Sequence, residues 1–196
     1  MIYKNSNRKD LLVASDLQRG LLNVIGDVLA DVVTTRADGQ KQVGFNGFIQ
    51  QLPVLQNDDE DRDQFFPYYI VRLMEANTES DTDFWTWTVA VYLGIHDEGA
   101  ENQGHFSLLN AMTRITNRFG REAVLGSPHH VGFRCLPNMN MTLQDEDTYP
   151  YFFGAVLMQF AAPKITREDP LDVTEYEKYY RPGRRNKSRG EEEEMV

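Results

Sequence analysis

The sequence predicts an α+β domain, and two features of it carry that prediction. Two runs rich in β-branched and aromatic residues, FFPYYIVRLMEA from Phe65 and DFWTWTVAVYLGIHD ending at Asp97, stand on either side of the acidic break Asn77 to Asp83. In the second run Trp85, Trp87, Val89, Val91 and Leu93 alternate with Thr86, Thr88, Ala90 and Tyr92, the period of two that a strand requires. Together they read as a hairpin whose connection is longer than a tight Asn-Gly turn, so the strands are better defined than their register. The other feature is a pair of stretches with apolar residues at helical spacing, each stripe needing a sheet face to cover it.

Taken in order, residues 1–14 form a mixed polar lead. Ser15 with Gln18 has capping-box spacing, and Leu17, Leu21, Val24, Ile25, Val28 and Val32 follow as one helical stripe. Gly20 and Gly26 each cost such a helix about 1 kcal/mol against Ala, which points to packing or close approach as the reason for them. TTRADGQKQ with its Asp38-Gly39 turn signal ends the helix, and VGFNGFIQQLPV reads as a short strand broken by Gly44 and Gly47. After the hairpin, His105 to Phe119 places Leu108, Leu109, Met112, Ile115 and Phe119 on one helical face, with Gly120 as its C′ residue. Val131, Phe133 and Cys135, then Met139, Met141 and Leu143, predict two short strands, and YPYFFGAVLMQFAAPKI is apolar enough for a central one. The domain therefore spans 15–165, and 166–196 form a charged arm poor in aliphatic residues.

Length and charge bound the function. The chain has room for one domain plus tails, and a net charge of −10 argues against general affinity for nucleic acid, which needs clustered Lys and Arg. The single Cys135 excludes an internal disulfide and fits assembly in a reducing cytoplasm. No apolar run spans a bilayer and the N-terminus lacks the core of a signal peptide, so no membrane partner is expected.

Candidate chemistry is sparse. His129 and His130 lie near Cys135 and would serve a small hydrolase as base and nucleophile, but in a strand His129 and Cys135 stand about 20 Å apart. His96, Asp97 and His105 have no zinc-ligand spacing, and Asp58, Asp59, Glu60, Asp61 and Asp63 lack the Gly and distal Glu of a calcium loop. The expectation is that the protein has no catalytic residue, metal or cofactor, that Cys135 is buried, and that Trp85 and Trp87 serve the core and subunit contacts. Phosphate-cradling glycine loops and a nucleophile elbow are absent from the sequence.

One resemblance goes further than residue chemistry. IQQLPVLQNDDED, FPYYIVRL, an acidic gap, WTVAVYLGIHD, NQGHFSLLNAMTRI and the late EDTYPYFFGAVLMQF, in that order over about residues 15–165, resemble the tail terminator or tail-completion proteins of tailed bacteriophages. The resemblance implies an α+β subunit with two main helices on one face of a mostly antiparallel sheet. It also implies a homo-oligomeric ring, usually a hexamer, at the head-proximal end of the tail tube, in the virion at the head-tail junction. Its partners would be the tail tube protein and a neck or head-completion protein, with DNA passing the lumen unbound. A neck or head-completion role one layer nearer the capsid is the neighbouring alternative.

On that reading the acidic loops, Asp58, Asp59, Glu60, Asp61 and Asp63 with Asp145, Glu146 and Asp147, line a lumen or a ring face. Tyr176, Tyr179, Tyr180, Arg181, Arg184 and Arg185 of the arm are expected to contact a neighbouring subunit, being residue types common at interface anchors. The lead before Ser15 and the arm after Lys164 depart from the family pattern, which leaves the partner contacts open.

Overall fold

The computed structural model describes residues 13–35, 40–55, 62–78, 84–99, 101–125 and 132–163. All of them belong to one compact unit, Met1–Lys164. Two helices, α1 (Val13–Leu29) and α2 (Gln103–Arg121), accompany eight strands: β1 (Val33–Thr35), β2 (Lys41–Val43), β3 (Asn46–Ile49), β4 (Tyr68–Asn77), β5 (Phe84–His96), β6 (Val124–Leu125), β7 (Phe133–Leu143) and β8 (Tyr151–Pro163). Six strands form one sheet in the order β3-β4-β5-β8-β7-β6, while β1 and β2 pair separately. Every pairing is antiparallel except β3 with β4. The architecture is thus α+β with a mostly antiparallel sheet.

The expected hairpin forms, running from Tyr68 opposite Gly94 to Asn77 opposite Thr86 with a bulge between Leu73 and Glu75. The late apolar run forms β8, which sits inside the sheet between β5 and β7. Leu17, Leu21, Ile25 and Leu29 of α1 and Leu108, Ala111, Met112, Ile115 and Phe119 of α2 are buried against Val89, Val91, Leu93, Val156, Met158 and Phe160 of β5 and β8. Both helices therefore cover the same face. Each large aliphatic or aromatic side chain removed from water there contributes about 1.5–3 kcal/mol before entropy is counted. The opposite face carries a second cluster built on Phe66, Tyr68 and Ile70, with Phe48, Tyr92 and Phe153 packed around them.

Several local expectations are corrected. Helix α1 already includes Val13, so Ser15 is inside it and is no N-cap. Gln18 is buried on the sheet side instead, where its amide donates to Gln50 Oε1 at 2.9 Å and to the Val71 carbonyl at 2.9 Å. Val32 lies beyond the helix, buried at the foot of β1. The stretch read as a helix exit supplies β1, too short to show a period. Gly44, at φ +83°, is where the chain turns out of β2, a conformation that favours glycine. Gly47 does not break its strand: a Cβ there would lie 2.4 Å from Tyr69 Oη, so the glycine makes room for that ring.

Gly120 is likewise inside α2, which continues to Arg121. The next residue, Glu122, gives its N–H to the Arg118 carbonyl at 3.0 Å, and Arg118 Nη1 donates to the Glu122 carbonyl at 2.6 Å. Those bonds close the helix end without a left-handed glycine. The two short strands expected around Cys135 and Met139 are one strand, β7. Its pairing with β8 slips between Cys135 and Met139, where Pro137 supplies no N–H to the ladder.

Candidate functional site

The topology gathers acidic residues at one end of the sheet. Asp63 lies in a single 3-10 turn, Arg62–Phe65, just before β4, and its carboxylate accepts from Tyr151 Oη at 2.9 and 3.2 Å across 88 positions of sequence. Tyr151 opens β8, and immediately before it the connection from β7 carries Asp145, Glu146 and Asp147, all exposed. That connection is held by its own bonds. Asp147 Oδ1 accepts the Tyr149 N–H at 3.2 Å, Thr148 Oγ1 donates to the Tyr151 carbonyl at 2.7 Å, and Tyr149 Oη donates to the Glu98 carbonyl at 2.8 Å. The last contact brings in the end of β5, with Asp97, Glu98 and Glu101 on the way to α2. Asp58, Asp59, Glu60 and Asp61 lie outside the described residues.

Arg62 adjoins Asp63 in the same turn, and several other basic residues sit elsewhere. Arg72 is midway along β4, with its guanidinium 5.2 Å from the Tyr92 ring centre. Arg118 and Arg121 close α2, and Arg134 starts β7 at the end remote from Asp145. Arg114 pairs with Asp31. Exposed carboxylates thus gather where β7 ends and β8 begins, while Arg118, Arg121 and Arg134 stand toward the other end, the first of them paired with Glu122.

The residues weighed for catalysis do not converge on a site. Cys135 is buried on the core face, where burial pushes its thiol up to about 11, so it is not a thiolate at neutral pH. His129 and His130 lie outside the described residues. Asp97 is buried with Oδ1 accepting the Gly99 N–H at 2.8 Å, and His96 lies between the Phe66 and Tyr151 rings with Nε2 3.7 Å from Glu98 Oε1. Among the described residues no three His, Cys, Asp or Glu side chains are placed to hold a metal. Trp85 and Trp87 are half-buried against the main core, and no described helix is long and apolar enough to cross a membrane.

A stretch of strand edge that the sequence did not reveal lies along β7. Strand β6 pairs only with Phe133 and Arg134, and the Cys135 N–H then reaches the Ala123 carbonyl at 2.7 Å. Beyond that point no described strand covers the outer edge of β7. Met139 is half-buried, Met141 is 48% exposed and Leu143 37%, all on the helix side of the sheet. Thr116 Oγ1 of α2 stands 4.0 Å from Met141 Sδ. At the Leu143 end lies a cavity of about 150 Å³, lined by His105, Leu108, Glu146, Asp147, Tyr149 and Phe152 among others.

No protein-family profile and no curated protein matches the chain. Among solved structures, one whose name states no function superposes with a TM-score of 0.46 at 8% identity, covering 79% of this chain and 95% of its own.

Proposed function

We propose that this chain is a structural virion protein that assembles as a hexameric ring on the head-proximal end of a phage tail tube, stops tube growth and helps join tail to head. The observation that carries the reading is the gathering of Asp63 with Asp145, Glu146 and Asp147 at one end of the sheet, opposite Arg118, Arg121 and Arg134. A tube of stacked rings grows through a heterologous interface that regenerates itself at each step. A protein that stops such growth must bind the open end through one face and present a different face outward. Two ends of opposite charge meet that requirement, because charge complementarity steers one partner while like charge rejects another copy. The ordered sequence resemblance supplies the biological setting, and the acidic end would offer passing DNA no attractive site.

Mass photometry and negative-stain images of the purified protein are expected to show rings. Deleting the gene should give filled heads without tails together with free tails of abnormal length, and purified protein added to growing tubes should halt them at amounts well below that of tube subunits. Tails of normal length still joined to heads in the deletion would refute a terminator.

A further inference from the structure

We propose that the outer edge of β7 pairs with the same edge of a second copy, antiparallel, about a two-fold axis at Met141. The contact goes beyond the ring reading: it is isologous, so it closes on two copies, and every species built with it holds an even number of them.

The backbone of β7 is set for this. Gln144 gives its N–H to the Phe153 carbonyl at 3.0 Å, and the pairing with β8 runs unbroken from Met139 opposite Met158 to Leu143 opposite Gly154. Antiparallel neighbours exchange bonds at every second residue. Gln144, Thr142 and Asn140 therefore turn their N–H and C=O toward β8, while Met139, Met141 and Leu143 turn theirs outward, where no described strand receives them. At Cys135 the outer side is taken, since its N–H bonds the Ala123 carbonyl at 2.7 Å. The other side of the sheet refuses a further strand. Beyond β3 the Gln50 side chain takes the Leu73 N–H at 2.8 Å, Arg72 Nε donates to the Gln50 carbonyl at 2.8 Å, and a bulge at Leu73/Glu75 breaks the register of β4.

Two copies of the β7 edge fit one another. With Met141 opposite the partner's Met141, Met139 falls opposite the partner's Leu143, and every outward N–H and C=O of these three residues is paired. Met141 Sδ is 4.0 Å from Thr116 Oγ1 of α2 and Leu143 lines the cavity with Leu108, so these side chains share the helix side of the sheet. Met141 and Leu143 are exposed in the single chain, and the pairing covers them with one another. On the opposite side Asn140 faces the partner's Thr142, an uncharged polar pair, and no charged residue lies from Asn138 to Leu143 to oppose its like. The strand ends at Leu143, opposite the partner's Met139, and so stops short of the partner's Ala123. Antiparallel alignment also brings Asp145, Glu146 and Asp147 of each copy toward Arg134 of the other, whereas parallel alignment would set acid beside acid.

The test uses full-length protein. Met141→Lys and Met141→Glu each set like charges against themselves at the axis and should weaken self-association about tenfold, while their equimolar mixture should recover it to within about threefold of wild type, read by sedimentation equilibrium. Co-expressed Asn140→Cys and Thr142→Cys chains, oxidised with diamide, should link to each other, because facing residues that share no hydrogen bond stand about 4.5 Å apart at Cα. Either cysteine variant alone should stay unlinked, with the buried Cys135 left out. A mixture no stronger than its parts, both folded by urea melt, would overturn the two-fold register, and the cysteine pair decides should either charge variant fail to fold. Rings that form without the link and ignore the charges would overturn edge pairing and leave the ring reading standing. Wild-type protein that stays monomeric at every concentration would overturn edge pairing and the ring reading together.

Discussion

Tyr69 illustrates how one side chain fixes three elements. Its hydroxyl donates to the Leu22 carbonyl at 2.7 Å, and its ring lies where a Cβ on Gly26 would be 3.0 Å, and one on Gly47 2.4 Å, from the hydroxyl oxygen. Burial, with a smaller contribution from Asp27, pushes its pKa up to about 12. Because the folded value lies above the unfolded one, this residue's contribution is complete below about pH 10 and is lost as pH rises through about 12. Alkaline denaturation should therefore steepen in that window, and Tyr69→Phe should reduce the steepening, with Tyr68 and Cys135, which burial also raises, supplying the rest. Gly26→Ala is expected to destabilise the wild type but to be neutral or stabilising by up to about 1 kcal/mol in the Tyr69→Phe background, where the clash is gone and helix propensity remains. Urea melts of the four proteins would show it. Cys135 gives a second check: native protein should react with iodoacetamide at pH 8 many times more slowly than urea-unfolded protein, and Cys135→Ala should leave ring assembly intact.

At the scale of elements, α2 is placed at its N-terminus by contact with the sheet. A Cβ on Gly104 would lie 2.5 Å from the Phe152 ring and 2.9 Å from Asp97 Cβ, so the first turn of the helix rests directly on β8 and the end of β5. Gly104→Ala must displace the helix or the ring and should cost about 1–3 kcal/mol, read as a lower urea midpoint at unchanged m. Because the same turn carries His105, which lines the cavity, any shift should also change that cavity. Strand β7 shows the opposite logic: among the described residues no strand follows β6 along its edge, and its Met141 and Leu143 are exposed.

For the whole molecule the organising fact is the separation of charge. Asp63 is tied to Tyr151, and through β8 to the loop that carries Asp145, Glu146 and Asp147, whereas Arg134 starts the adjacent strand at the other end. Assembly steered by such ends depends on ionic strength, since the screening length falls from about 10 Å at 0.1 M salt to about 3 Å at 1 M. If the proposed capping role holds, association with tube ends should therefore slow as salt is raised from 0.05 to about 0.5 M, followed by light scattering of stalled tubes. A rate independent of salt would argue that apolar contacts alone drive the capping.

The sequence by itself determined the elements whose pattern is local and long enough to repeat: the 68–96 hairpin, the two helical stripes, the interior strand 151–163 and the burial of Cys135. Periodicity reports which face of an element is buried, and that is a property of neighbouring residues. Ser15 and Gly120 have the residue types of caps yet lie inside helices that reach Val13 and Arg121, because residue type alone does not fix where a helix ends. Only the tertiary structure decided what pairs with what: β8 between β5 and β7, β3 parallel to β4, and a β6 of two residues against the start of β7. The acidic end belongs to that second class. Asp63 and Asp145 are distant in sequence, and it is the pairing of strands that brings Asp63, bonded to Tyr151 at the start of β8, to the same end of the sheet as the connection that carries Asp145.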